Sequence, residues 1–219
     1  MARVLITGTN RGIGLELCRQ LKARGDEVIA TCRQSSPALE GLGVTVHTGV
    51  DVGEDASVAK LARALEGVKL DILINNAGIA SQETFDDLGF DRIRRQFEIN
   101  SLGPLRVTAA LLGNLQRGSR VAIITSLMGS LADNGSGESY GYRMSKAAVN
   151  MAGVSMAHDL RERGITVLLL HPGMVATEMT DGRGIPVEES ARGLLDRLGA
   201  LDQSSSGTFW HANGKPLEW

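Results

Sequence analysis

The 219-residue chain is poor in several features that would mark particular classes of function. Its two cysteines, Cys18 and Cys32, are too few for a disulfide framework and lack the spacing of a metal-ligand pair. Aromatic residues make up 4% of the chain, which excludes rows of stacking platforms for nucleobases. Lys and Arg number 23 against 25 Asp and Glu, for a net charge of -2, so no one-signed field is available to hold nucleic acid or an anionic membrane. No apolar run approaches the roughly 18 residues of a membrane span. The run Val4-Leu5-Ile6 behind Met1-Ala2-Arg3 falls far short of a signal-peptide core. These absences lead us to expect a soluble cytoplasmic protein without a metal site, whose partners are small molecules or other protein surfaces.

Glycine is abundant: 27 residues, where a chain of this length at the usual ~7% would carry roughly 15. Many positions must therefore turn sharply or let something approach the backbone closely. Short apolar runs at 3–7, 27–31, 44–48, 70–75, 120–125, 166–171 and 208–211 alternate with amphipathic stretches at 12–24, 54–66, 86–116, 140–163 and 187–199. That alternation predicts a single α/β domain over 1–219, a Rossmann-type doubly wound sheet of seven parallel strands with helices on both faces. Pro104 falls inside the third helical pattern and predicts a kink or a division into two helices. The segments 33–43, 127–139 and 178–186 read as loops.

The first apolar run is followed at once by Thr7-Gly8-Thr9-Asn10-Arg11-Gly12-Ile13-Gly14. A tight turn, close backbone approach and a helix N-terminus with free N–H groups are what a pyrophosphate needs, so Gly8, Asn10, Arg11, Gly12, Ile13 and Gly14 are candidate nucleotide contacts. In dinucleotide folds an acid at the end of the second strand grips the ribose 2′-hydroxyl, whereas a base accommodates a 2′-phosphate. Here that strand ends in Cys32-Arg33. Arg11 and Arg33, with the carboxylate missing, point to NADP(H) rather than NAD(H), and Ser35 and Asn10 would add hydrogen bonds. Asp51-Val52 is open to two readings, a carboxylate for the adenine amino group or a cap for the next helix.

Tyr142 and Lys146 are four residues apart on a predicted helix and so share a face. A tyrosine acting as acid/base near neutrality needs its pKa lowered from about 10, and a neighbouring ammonium has the right sign to do it. The pair gains weight from company: the glycine turn, Asn75-Asn76-Ala77-Gly78, Asn100, Ser126, Tyr142/Lys146 and Pro172-Gly173-Met174-Val175-Ala176-Thr177 occur in the order of the short-chain dehydrogenase/reductase family. Over essentially its whole length the chain resembles that family, and within it the carbonyl-reductase-like and C-factor-like branch.

The resemblance implies hydride transfer between NADP(H) and a carbonyl or alcohol. Ser126 would polarise the substrate oxygen, chosen over Thr125 by its offset from the strand. Tyr142 would exchange the proton, Lys146 would hold the nicotinamide ribose, and Asn100 would bind a water continuing the proton path. Asn76, Ala77 and Gly78 would pass beside the adenosine and ribose. Pro172, Gly173, Val175 and Thr177 would hold the carboxamide and phosphates. Only about ten residues follow Thr177 before the next helical pattern, a short lid that predicts an open substrate site. Tyr140, Met128, Met174 and Met179 are its candidate apolar contacts, with Trp210, His211 and Trp219 more simply packing the last strand. The small and apolar residues of 101–117 and 142–162 imply, through the same resemblance, a homodimer or homotetramer. The competing reading is a C-factor-like signalling or sensor protein that binds the nucleotide with little turnover.

Overall fold

The computed structural model describes residues 1–219. Seven strands form one sheet in the order β3-β2-β1-β4-β5-β6-β7, and every neighbouring pair is parallel. The strands are β1 (Arg3–Thr7), β2 (Glu27–Thr31), β3 (Thr45–His47), β4 (Leu70–Asn75), β5 (Leu115–Ile124), β6 (Thr166–His171) and β7 (Phe209–His211). A parallel sheet needs crossovers, and the helices supply them: α1 (Gly12–Ala23), α2 (Pro37–Glu40), α3 (Asp55–Ala64), α4 (Phe90–Phe97), α5 (Gly103–Ala110), α6 (Tyr140–Asp159) and α7 (Val187–Ala200).

Strand side chains alternate between two cores. Leu5, Ile29, Leu73, Val121, Ile123 and Val167 face one cluster, where Val58 and Leu61 of α3, Val107 of α5 and Val149 and Met156 of α6 close the layer. Val4, Ile6, Val28, Ala30, Ile74, Ala122, Ile124, Leu168 and Leu170 face the other, closed by Leu17, Cys18 and Leu21 of α1 and by Ala191, Leu194, Leu195 and Leu198 of α7. Burial on both faces is why these strands read as continuous apolar runs. Each fully buried Leu or Ile contributes about 1.5–3 kcal/mol.

The structure divides the 86–116 stretch into α4, a π-helical turn at Glu98–Leu102 and α5, with Pro104 in the first turn of α5. Proline lacks an N–H and its ring crowds the carbonyl four residues back, which here belongs to Asn100; the wider π turn accommodates both. The rest of that stretch, Leu115 onward, belongs to β5, which therefore starts earlier than the apolar run alone suggests. The 33–43 loop contains α2, with Pro37 at its start and the Ser36 hydroxyl accepting from Leu39 N–H at 3.2 Å. The strand order reverses between β1 and β4. Loops leaving the C-terminal ends of β1, β4, β5 and β6 gather there, the crevice in which open α/β sheets bind ligands.

Candidate active site

The turn after β1 is built from glycines that nothing else replaces. Gly8 has φ +72° and Gly12 φ +55°, a left-handed backbone that favours glycine. A Cβ on Gly8 would stand 2.8 Å from the Ala77 Cα, and one on Gly14 would stand 2.2 Å from the Gly8 carbonyl oxygen. Asn76 stitches the end of β4 to this turn: its Nδ2 donates to the Thr7 and Gly8 carbonyls at 2.9 and 3.0 Å, and the Asn76 and Ala77 N–H groups donate to the Thr7 hydroxyl. The Asn76 side chain is thus occupied in shaping the turn. Arg11 stands at the N-cap of α1 in extended conformation without capping by its side chain, and the first turn of α1 carries no acid. Its terminal N–H groups face an anion-favouring site. A Cβ on Gly12 would lie 3.5 Å from Thr177 Cγ2, so the segment after β6 lies against the glycine turn.

At the end of β2, Cys32 is buried and Arg33 is exposed. The Ser35 hydroxyl is buried with no hydrogen-bond partner. Asn10 offers its carbonyl to the Ser36 hydroxyl at 2.7 Å. The Arg11 guanidinium is paired with Glu178, both side chains largely exposed. Asp51 is tied into its own loop: its carboxylate accepts from Gly53 N–H at 2.8 Å and from Arg95 at 2.9 Å. Burial pushes its pKa up, but the Gly53 and Arg95 hydrogen bonds outweigh this, with the Arg33 charge assisting, and hold it below the usual carboxylate range. Val52 is buried in the core layer under α3 and α5.

The second half of the site lies at the ends of β4, β5 and β6. The Thr125 hydroxyl turns inward to Asn150 Oδ1 at 2.6 Å, whereas the Ser126 hydroxyl accepts from Met128 N–H at 3.2 Å and lies on the side of the Tyr142 phenol, near enough to lower its pKa. Lys146 Nζ donates to the Ile124 carbonyl at 2.9 Å and stands 5.7 Å from the centroid of the Tyr142 ring. A Cβ on Gly78 would lie 3.3 Å from Asn100 Oδ1 and 3.7 Å from Lys146 Nζ, and one on Gly129 would strike the Lys146 backbone at 2.7 Å. Both glycines therefore let their chains close on Lys146. Asn100, in the π turn, accepts from Ile79 N–H at 2.9 Å and donates to the Ile79 carbonyl at 2.8 Å and the Ser145 hydroxyl at 3.0 Å. Both of its side-chain donors are spent on the protein.

The electrostatics differ from the expectation raised by the Tyr142/Lys146 spacing. Burial raises the Tyr142 pKa above 10, with the Ser126 hydrogen bond opposing. Burial also lowers Lys146 to about 8. Desolvation outweighs charge pairing because the ammonium is directed at the Ile124 carbonyl rather than at the phenolic oxygen. The protein by itself keeps the phenol protonated and brings the ammonium near neutrality. His171, at the end of β6, is lowered to about 3 by burial and, in turn, by His211 and Lys146; its Nδ1 has no partner.

Val175 is buried and bridges to Ile185, its carbonyl accepting from the Thr180 hydroxyl at 2.6 Å. The lid between Thr177 and α7 is a single 3-10 turn, Glu178–Thr180, and a loop. Met179 is exposed on it, and Met174 is exposed just before it. Tyr140 faces Phe85 with ring centroids 6.4 Å apart. Trp219 stacks on Phe209 at 5.3 Å and accepts from Ala132 N–H at 3.1 Å, so the chain end braces the 127–139 loop. Sequence reasoning missed a buried polar group behind α6, Glu83 with Ser81 and Gln96. Glu83 and Ser81 follow Gly78 in an irregular stretch with no periodicity to mark them. No group of three or more His, Cys, Asp or Glu is placed to hold a metal, and no helix is long and apolar enough to cross a membrane.

Residues 2–185 match the family described as short chain dehydrogenase. The chain is 46% identical over 226 aligned positions to the 1-hydroxy-2-glutathionyl-2-methyl-3-butene dehydrogenase of Rhodococcus sp., covering all of both chains. It is 46% identical over 154 positions to the C-signal protein of Myxococcus xanthus, covering 68% of this chain and 93% of that one. The solved structure of NADPH-bound carbonyl reductase from chicken fatty liver superposes with a TM-score of 0.92 at 32% identity, covering 100% of this chain and 99% of the other.

Proposed function

Given that the chain belongs to the short-chain dehydrogenase/reductase family, we propose that Asn100, Ser126, Tyr142 and Lys146 are the machinery with which this NADP(H)-dependent oxidoreductase interconverts a carbonyl and an alcohol. NADPH supplies the hydride. The observation that carries the reading is Lys146 Nζ 5.7 Å from the Tyr142 ring, with the Ser126 hydroxyl beside the phenol. A substrate oxygen placed between the two hydroxyls accepts from both: Ser126 polarises it and Tyr142 delivers the proton. Lys146, titrating near 8, is matched to restoring that proton close to neutrality.

The residues fit the nucleotide. Gly8 and Gly14 let the turn close on Ala77 and on its own Gly8 carbonyl, and the turn so closed would present backbone N–H groups and the start of α1 to a pyrophosphate at Gly8, Asn10, Arg11, Gly12, Ile13 and Gly14. Arg33 and the unpartnered Ser35 hydroxyl suit a 2′-phosphate. Arg11 can join them because an exposed ion pair such as that with Glu178 is worth only about 0–1 kcal/mol. Asp51 and Val52 border the adenine end. Ala77 and Gly78, with Asn76 shaping their turn, border the ribose, and Pro172, Gly173, Val175 and Thr177 the nicotinamide end. The exposed apolar residues Phe90, Leu102, Leu105 and Met151 on α4, the π turn, α5 and α6 support a homodimer or homotetramer.

Consumption of NADPH at 340 nm with a panel of ketones, aldehydes and quinones tests the chemistry, with NADH in parallel. The panel extends in the oxidising direction to a glutathionyl alcohol, the substrate class in the Rhodococcus relative's name. Tyr142→Phe is expected to lose about 10²–10⁴-fold in kcat, and NADPH to be preferred over NADH. Full activity in Tyr142→Phe removes the acid, and a preference for NADH removes the Arg33 and Arg11 assignment. Likeness to the C-signal protein keeps a sensor function as the second reading; tight NADPH binding without turnover on any substrate would favour it.

A further inference from the structure

Helix α6 carries both Tyr142 and Lys146, yet its own sequence does little to hold its start in place. Ser139 at the N-cap has φ 50°, ψ 42° and makes no capping hydrogen bond through its side chain, and the first turn contains no acid. Glu138 before it is also left-handed, at φ 55°. Two successive non-glycine residues in that region persist only where their surroundings fix them, and the first N–H groups of a helix need acceptors from elsewhere.

Glu83 supplies them. It is 0% exposed, its carbonyl accepts from Ser139 N–H at 2.8 Å, and its Oε2 accepts from Gly141 N–H at 2.9 Å. Its Oε1 accepts from the Ser81 hydroxyl and from Gln96 Nε2 at 3.0 Å. All these partners are neutral donors. A carboxylate withdrawn from water without a cation is retained where it is fully hydrogen-bonded and lies at the positive end of a helix. Gln96 is likewise 0% exposed, and its Oε1 accepts from Ser81 N–H at 3.1 Å. A Cβ on Gly141 would fall 2.2 Å from Gln96 Nε2, so α4 can approach the first turn of α6 only because that residue is glycine.

The segment from Ile79 to Glu83 is therefore tied to α6 at both ends. Glu83 holds Ser139 and Gly141, while Asn100 links Ile79 to Ser145. Tyr142 lies directly between the two ties. We propose that Glu83 is a positioning residue for the reaction: its buried carboxylate, backed by Gln96, anchors the first turn of α6 and so fixes where the Tyr142 phenol stands relative to Ser126. This rests on the reading of Tyr142 as the proton donor.

The test compares Glu83→Ala, Glu83→Gln, Gln96→Ala and Tyr142→Phe on the fastest carbonyl of the panel. NADPH affinity is read by nucleotide fluorescence and folding by circular dichroism. Glu83→Ala is expected to lose about tenfold or more in kcat while its NADPH Kd stays within about threefold, because displacement of a reacting group acts on the chemical step. Glu83→Gln keeps an oxygen for Gly141 N–H but turns its NH2 toward Gln96 Nε2, so it is expected to lose less kcat than Glu83→Ala without matching wild type, as is Gln96→Ala. If Glu83→Ala does not fold, Gln96→Ala decides: kcat must fall with Kd unchanged. The proposal is overturned by wild-type kcat in Glu83→Ala and Gln96→Ala, by equal loss of kcat and affinity in both, or by a Glu83→Gln loss as large as that of Ala. Tyr142→Phe separates the two readings. Its full activity removes the proton donor itself, whereas an inactive Tyr142→Phe beside a wild-type Glu83→Ala removes only the role of Glu83.

Discussion

At Lys146 two effects compete, and their signs can be followed into a measurement. Burial disfavours the ammonium and lowers it from 10.5 to about 8, while a single hydrogen bond to the Ile124 carbonyl compensates in part. Below about pH 8 the lysine is protonated folded and unfolded alike, so folding bears the full desolvation cost. Between about 8 and 10.5 the unfolded chain binds more protons, and stability rises with pH. The expected rise attributable to this residue is about 3 kcal/mol. It is read as the difference in pH dependence of urea unfolding between the nucleotide-free wild type and Lys146→Met. Parallel curves for the two proteins from pH 7 to 10.5 would show that Lys146 is not buried as described. The sequence placed Tyr142 and Lys146 on one helical face because four residues nearly complete a turn. It could not say that desolvation would dominate their charge coupling, which depends on what the rest of the chain stacks over them.

At the scale of elements, strands were the most legible because burial on both faces leaves an unbroken apolar run; β1, β2, β4 and β6 have the bounds that their hydrophobic runs give. The 86–116 stretch was less so. Pro104 signalled a discontinuity, but its resolution as a π turn that carries Asn100 depends on the hydrogen bonds to Ile79 and Ser145. In the turn from β1 to α1 the glycine spacing was visible at once, and the structure supplies the reason for each position. Gly14→Ala would drive a methyl group to 2.2 Å from the Gly8 carbonyl. We expect a destabilisation of about 1–3 kcal/mol and a disproportionate loss of NADPH affinity, measured by thermal unfolding and nucleotide titration on the same preparation. Unchanged affinity in Gly14→Ala would mean that the turn does not hold the nucleotide.

For the molecule as a whole, α4, α5 and α6 each expose an apolar side chain, Phe90 62%, Leu105 40% and Met151 68% exposed. If copies of the chain pair through these helices, charges placed there should separate them. Leu105→Glu combined with Met151→Glu is expected to yield monomer in light scattering where the wild type gives a dimer or tetramer, and a monomeric wild type would end the proposal. The sequence by itself determined the layered α/β architecture, because a two-sided parallel sheet imposes its hydrophobic period on every strand. It also determined the glycine turn and the Tyr142/Lys146 spacing, since both are local constraints of backbone and helix geometry. Only the tertiary structure decided that the Thr125 hydroxyl is held by Asn150, that Asp51 is bound to Arg95, and that Glu83 closes the start of α6. Each of those partners lies tens of residues or more from its counterpart or on the far side of a loop without periodicity. Their meeting is set by how helices settle on the sheet, and no local pattern encodes that.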